Sequence, residues 1–558
     1  MEIQNKGFRY TLMGVAILFA FILLLDRYYW AEISIWREDQ ATNIWLGYTV
    51  KTGNIPVGLM SSEDIPNPNG MVLLAVLLSK LPNLLSISFF LGLVQIILLI
   101  TLCWKTFHGN WRYFLLTAMP PLTSVILRST SVEYWNQYMI TSINIFFIFL
   151  ALRYLEKPSL WYLPPIVTLI LLAPALYLAG IVNAIVMTLL TVGIFFYRHP
   201  KMDSVATVFL ILLVIGSLSL FLTWLPYFQT INLKQITGYN KTTLGPVTLF
   251  QTIWQALLGL PIYATFQWAD KSTLGLAFKY ADSKILSSTT QLLLRLVGRS
   301  YLIQAAFAFT TFIYINITAL FKAISKKSFA GRADPATARI TIVSGLFIGI
   351  SYAVSTWLGG PAWINNERLD QTVQFLPMFL FLIFLLPMMI TLDTGAGKII
   401  AKISYISLAV FGIVNLLCGF MIIKDYLLYR GKVLTQADVP LINKMEVVDF
   451  IVNDWKKHSD SMIIPVDYDL DGGIWYWVPQ FGNSLTKWYP APMTEGRNFD
   501  YELLRSYGLK NQQEGVQFRT FGNGRYLITY AFEKPPQVAN GSINHYIFGR
   551  LRVSIVER

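Results

Sequence analysis

Three groups of charged and amide side chains, far apart in the chain, are of the types that move protons and hold phosphate. The first is Arg37-Glu38-Asp39, soon after the first apolar segment. The second is Arg128, Glu133, Asn136 and Gln137, and the third is Glu367, Arg368, Asp370, Gln371 and Gln374. A carboxylate at the rim of an apolar cavity is partly desolvated, which raises its pKa and suits it to act as general base toward a hydroxyl or amine. A guanidinium nearby can grip a phosphate through paired hydrogen bonds and ease its departure. A sugar carried on a polyprenyl phosphate, with its tail in the bilayer and its head at the surface, fits such a site. Each position also has a plainer reading. Asp39 is a favoured N-cap for a helix starting near Gln40, Glu133 can pair with Arg128 at the interface, and Arg368 and Lys80 can snorkel to headgroups.

The elements that must hold these residues are set by composition. Hydrophobic residues make up 54% of the chain and charged residues only 13%, against roughly a quarter charged in soluble domains. The apolar residues fall in long runs, as in a polytopic membrane protein. The net charge is +13, but Lys and Arg lie between the apolar runs. They therefore read as a topology signal rather than a nucleic-acid surface. Cys103 and Cys418 sit inside apolar runs and read as packing residues. The four histidines are scattered without ligand spacing, which argues against a zinc site.

Lys6 and Arg9 precede the first apolar run, residues 11–25, and place the N-terminus in the cytoplasm. That run lacks a small-residue cleavage site and reads as a retained helix. The chain is then expected outside the membrane over 26–84, with an interfacial helix at 41–50 and an interfacial or partly inserted one at 71–81. Further spans are expected at 85–104, 113–127, 134–152, 161–178, 179–197 and 205–227, then at 301–321, 340–358, 372–390 and 403–423. The total is about eleven. The loop from Arg128 to Glu133 falls outside, as does a long external loop, 228–299, containing the partly apolar piece 247–268. Beyond Lys424 the composition turns polar. Runs at 462–466, 474–478, 525–531 and 551–556 read as strands, and 446–457 as a helix.

On these residues the chain resembles the integral-membrane GT-C glycosyltransferases, in the branch of protein O-mannosyltransferases and aminoarabinose lipid A transferases. The resemblance rests on the acidic Arg37-Glu38-Asp39 and on Pro66-Asn67-Pro68-Asn69-Gly70 before a short apolar helix with Lys80. It rests also on Glu133 in Ser131-Val132-Glu133-Tyr134-Trp135-Asn136-Gln137, and on Arg368 to Pro377. The resemblance implies that Asp39 is the catalytic base, and that Glu133 is a second acidic residue near the acceptor or a metal. Lys80 and Arg368 would contact the donor phosphate. Arg37, Asn136, Asp370, Gln371 and Gln374 complete the expected substrate-binding set. The sequence departs from the family in three places: the carboxylates run Glu38-Asp39 rather than Asp-Glu, Asn67 interrupts the Pro-Pro pair, and Asp370 and Gln371 stand where a histidine is common. Which of Glu38 and Asp39 is the base is left open.

The expected fold class is a polytopic α-helical membrane protein of about eleven spans with a small C-terminal α+β domain on the outer face. The expected division is a GT-C-like catalytic domain at 1–424 and an extracytoplasmic domain at 425–558. The expected function is transfer of a sugar from a polyprenyl-phosphate donor to a lipid, glycan or protein acceptor, in a bacterial inner or plasma membrane. No cofactor is required by this reading, and a divalent cation is left open. Membrane lipids are the other expected partners, and nucleic acid is not expected. Two alternatives differ in class. A lipid-linked glycan transporter or flippase would bury polar groups in several spans and show paired repeats, whereas few charges fall inside these spans and no repeat is evident. A non-catalytic assembly subunit would work through its C-terminal aromatics, such as Trp475 and Tyr476, and would be indifferent to loss of Asp39, Glu133 and Arg368.

Overall fold

The computed structural model describes residues 6–34, 36, 70–78, 80–81, 83–106, 118–134, 136–177, 180–198, 204, 207–208, 211–216, 285–300, 303, 395–431, 439–459, 463–469, 517–519, 525–537 and 542–557. Nine labelled helices run through it in chain order: α1 (Lys6–Glu32), α2 (Gly70–Leu78), α3 (Leu84–Thr106), α4 (Val125–Ser131), α5 (Asn136–Glu156), α6 (Leu163–Leu176), α7 (Gly180–Arg198), α8 (Gly395–Leu428) and α9 (Leu441–His458). Five strands follow: β1 (Ile463–Asp469), β2 (Gln517–Arg519), β3 (Tyr526–Tyr530), β4 (Ser542–Phe548) and β5 (Leu551–Glu557).

Three described stretches are long and apolar enough to cross a bilayer: Leu84–Trp104, Tyr138–Leu155 and Ile406–Leu428. The chain is a multi-pass membrane protein. The stretch in α5 is buried along most of its length, the other two along less than half, so α5 runs through the middle of the helix cluster. Val15, Ile17, Leu18 and Phe21 of α1 are exposed, as suits side chains that meet lipid rather than water.

The expected spans at 85–104, 134–152, 179–197 and 403–423 appear as α3, α5, α7 and α8. The run at 161–178 forms a 14-residue helix, α6, with Pro164 and Pro165 in its first turn, where a missing N–H costs nothing. Two boundaries differ from expectation. The first helix continues past Leu25 to Glu32, because residues 26–32 contain no glycine or proline and one stripe goes on being buried. Leu23, Asp26, Arg27, Trp30 and Ala31 follow the i, i+3, i+4, i+7, i+8 spacing of a buried helix face. The region around 113–127 breaks at Ser124, whose hydroxyl caps α4 by accepting from Leu127 N at 3.3 Å. Arg128 is therefore in a helix, not an external loop. Residues 288–300, at the end of the expected loop 228–299, are also helical. The expected features at 41–50, 247–268, 340–358, 372–390 and 474–478 lie outside the described residues, as does all of 301–321 except residue 303.

The five strands form one mixed sheet in the order β2-β1-β3-β5-β4. β1 is parallel to β2 and β3, and β5 is antiparallel to β3 and β4. Val447, Val448, Ile451 and Val452 of α9 pack under Tyr526, Ile528, Tyr530, Leu551, Val553 and Ile555. Tyr526 donates its hydroxyl to Asp454 at 2.6 Å. Burial first, and that carboxylate second, push the phenol's pKa up.

β4 and β5 join through a two-residue turn, Gly549-Arg550, with Phe548 opposite Leu551. Gly549 has φ +58°, and a Cβ there would collide with the Asn443 side chain. Both the dihedral and the space call for glycine. Gly549→Ala is expected to lower the opening free energy of the β4 and β5 amides by about 1–2 kcal/mol. Hydrogen exchange of the detergent-solubilised chain checks this, with the α5 amides unchanged.

Candidate functional site

Two arginines and one aspartate, all completely buried, join α1 to α4 and α8. The Arg128 guanidinium grips Asp26 through both carboxylate oxygens, Nε to Oδ2 at 2.8 Å and Nη2 to Oδ1. Its Nη1 donates to the carbonyls of Thr123 at 3.1 Å and Asn415 at 2.9 Å. Trp30 and Phe420 present ring faces to the same cation at 5.9 and 5.8 Å. Arg27 Nη1 donates to the shared Asp26 Oδ2 at 2.8 Å, and its Nη2 to Leu122 O at 3.4 Å. Asp26 thus serves two cations, and backbone carbonyls and aromatic faces take up the rest of the positive field. Asn415 of α8 accepts from Val125 N at 3.2 Å and so satisfies a free N–H at the start of α4.

These charges revise two expectations. Arg128 was expected in an outer surface cluster with Glu133; its partner is Asp26, and it is fully buried. Charges inside the helical part were expected to be few, yet three lie together in its core. Asp26 bonds both arginines, and carbonyls and ring faces take the other donors except Arg27 Nε, which has no partner among the described residues; the cluster is a structural joint. The signal that could have found it is the position of Asp26 and Arg27 on the buried stripe of α1.

Just beyond α1, Trp36 is held from several sides. Its indole N–H donates to Ser88 Oγ at 3.0 Å, and its ring stacks on Tyr134 with centroids 6.1 Å apart and planes 14° from parallel. Tyr134 in turn donates its hydroxyl to Met71 O in α2, and Lys444 Nζ of α9 donates to the Trp36 carbonyl at 2.9 Å. Three segments therefore meet Trp36, the residue before Arg37-Glu38-Asp39, and α2 holds its stacking partner. Glu133, adjacent to Tyr134, is 2% exposed.

Of the expected site residues, the structure brings the stem of the first group and Glu133 to the same stacked pair. Asn136 opens α5, within the same chain segment as Tyr134. Lys80 is exposed just after α2. It lies nine residues along from Met71, about 13 Å if the helical rise held throughout. Arg37, Glu38, Asp39, Arg368, Asp370, Gln371 and Gln374 lie outside the described residues. Lys444 had no place in the sequence-based site, although it interrupts an otherwise apolar stripe at Leu441, Met445 and Val448. Glu32, the last residue of α1 and beyond the apolar span, has its pKa raised, first by burial and further by Glu446 across on α9, against a lowering hydrogen bond from Tyr28. Among the described residues no group of three or more His, Cys, Asp or Glu side chains could hold a metal ion.

No family model and no curated protein matches the chain. Solved structures similar to it include two of ArnT from Cupriavidus metallidurans. The one bound to undecaprenyl phosphate is 10% identical, with 97% of this chain and 98% of that chain covered and a TM-score of 0.40. The apo state is 10% identical, with 99% and 98% covered and a TM-score of 0.35.

Gly419 on α8 leaves the space that the Arg128 guanidinium fills, and a Cβ there would collide with it. The cation cannot move away without leaving Asp26. Gly419→Ala is expected to cost about 1–3 kcal/mol, seen as a lowered thermal midpoint in detergent. Gly412→Ala, which meets the flexible end of Met119 at 3.3 Å, is expected to shift the midpoint far less.

Proposed function

We propose that the chain is a GT-C-type glycosyltransferase that moves a sugar from a polyprenyl-phosphate carrier to an acceptor on the outer side of the membrane. The observation that carries this reading is the stacking of Trp36 on Tyr134, which ties the Arg37-Glu38-Asp39 segment to the Glu133 segment. Asp39 is three positions on from Trp36, so chain length alone keeps their Cα atoms within about 11 Å. Trp36, at the head of one carboxylate-bearing segment, and Tyr134, next to Glu133 in the other, are thereby held together beside α2.

In this reading Asp39 is the general base, with Glu38 as the other candidate. It takes the proton from the acceptor hydroxyl or amine as that atom attacks the anomeric carbon from the face opposite the phosphate. One bond forms from acceptor to anomeric carbon, the bond from that carbon to the phosphate oxygen breaks, and the configuration inverts. The leaving group is the polyprenyl phosphate, whose charge Lys80 and Arg368 neutralise, with Arg37 beside them. Glu133 orients the acceptor, and Asn136, Asp370, Gln371 and Gln374 bind the sugar and headgroup. The C-terminal residues 425–558 form a domain on the outer face in this scheme.

Asp39→Asn, inserted and folded as the parent chain, is expected to lose at least about 100-fold in transfer. The assay supplies membranes with polyprenyl-phosphate pentoses and hexoses labelled in the sugar. Full transfer by Asp39→Asn together with loss in Glu38→Gln would move the base to Glu38. Full transfer by both variants would end the reading.

A further inference from the structure

Lys444 is a buried lysine on the apolar stripe of a helix. It is 1% exposed, and its neighbours on that stripe belong to two cores at once. Leu441 and Met445 pack with the membrane helices, whereas Val448, Ile451 and Val452 pack under the sheet. Placing a cationic side chain there costs free energy unless its hydrogen bonds are made. One of them goes to the Trp36 carbonyl at 2.9 Å, across 408 positions of sequence and directly before Arg37-Glu38-Asp39. A second contact fixes the same interface. Arg550, in the β4–β5 turn, is 2% exposed and donates Nη2 to Tyr426 O at 2.5 Å, with the rings of Tyr426 and Tyr429 each 5.1 Å from its cation. Arg550 N also donates to Asn443 Oδ1 at 3.3 Å, next to Lys444. The sheet is thus docked on the end of α8, and α9 reaches from that dock to Trp36.

We infer that Lys444 is a positioning residue: through its bond to the Trp36 carbonyl, the C-terminal unit fixes the place at which the acidic segment leaves the helix cluster. This rests on the proposed reaction for its catalytic meaning, but the contact itself does not. The indole of Trp36 is set by Ser88 and Tyr134, which fix the ring. The Trp36 carbonyl, the last described group before the acidic segment, is held by Lys444. The C-terminal unit then contributes to the site without touching substrate.

The test is hydrogen exchange on the full-length chain in detergent, comparing Lys444→Met with Val448→Ala. Methionine keeps the length and apolar stem of lysine but has no N–H to donate. The expected result is that Lys444→Met raises exchange across 34–45 about tenfold, the usual order for losing a hydrogen bond from a charged group, with β3 and β5 unchanged. Val448→Ala is expected to raise exchange in β3 and β5 and leave 34–45 as it was. Unchanged exchange at 34–45 in Lys444→Met, or a rise there only in step with the sheet, overturns the inference. Should Lys444→Met fail to accumulate, acylation of the parent chain by an amine-reactive ester decides. Lys444 is expected to react at least about tenfold more slowly than Lys456 and Lys457 at the exposed end of the same helix, by the same bond strength; equal rates overturn the inference. With labelled polyprenyl-phosphate sugars as substrate, Lys444→Met is expected to lower kcat and leave KM unchanged. If the parent chain transfers no sugar, the reaction fails and the exchange result still stands or falls by itself.

Discussion

Asp26 lies where two arginines converge, and all three side chains are fully buried. A buried ion pair adds little net stability over an apolar filling of the same shape. Removing one partner is another matter, because the charge left behind has nowhere to go. That asymmetry makes the Asp26–Arg128 fork a constraint on the rest of the helix cluster. α1 must end beside α4, α4 must start against Asn415, and Gly419 must remain small. Each condition is met by a separate residue.

From that joint outward the arrangement is a relay of polar contacts between rigid pieces. α1 delivers Trp36 to Ser88 and Tyr134, Tyr134 reaches Met71 at the start of α2, and α9 reaches back from the sheet to the Trp36 carbonyl. Preorganisation of this kind matters for acid–base chemistry, since a displacement of about 1 Å at a reacting group can cost two orders of magnitude in rate. The acidic segment beyond Trp36 is thus attached to a support drawn from both ends of the sequence.

Much of the helical part was legible from hydropathy and the distribution of Lys and Arg. α3, α5, α7 and α8 lie close to where the apolar runs put them, because a bilayer-length run has few other outcomes. Asp26 and Arg27 were read as the end of a span because hydropathy counts charges as exits and does not ask whether they have partners. The partner, Arg128, is 102 positions away, and no local pattern connects the two. β3 and β5 were visible as apolar runs. β4 was not, because it is an edge strand exposed over most of its length, so no alternation betrays it. The stem of the site was legible in Trp36 and Tyr134 only as aromatic residues near a boundary; their stacking depends on tertiary structure. Lys444 could have been found in the sequence, as a lone cation on an apolar stripe.

The dependence of the fold on one charge pair is open to a direct measurement, a double-mutant cycle on Asp26 and Arg128 with unfolding followed in detergent. Asp26→Asn and Arg128→Met are each expected to cost about 3–5 kcal/mol. The double variant is expected to cost little more than either alone, leaving a coupling of several kcal/mol. Additive losses, with the double variant costing the sum of the two, would contradict the account.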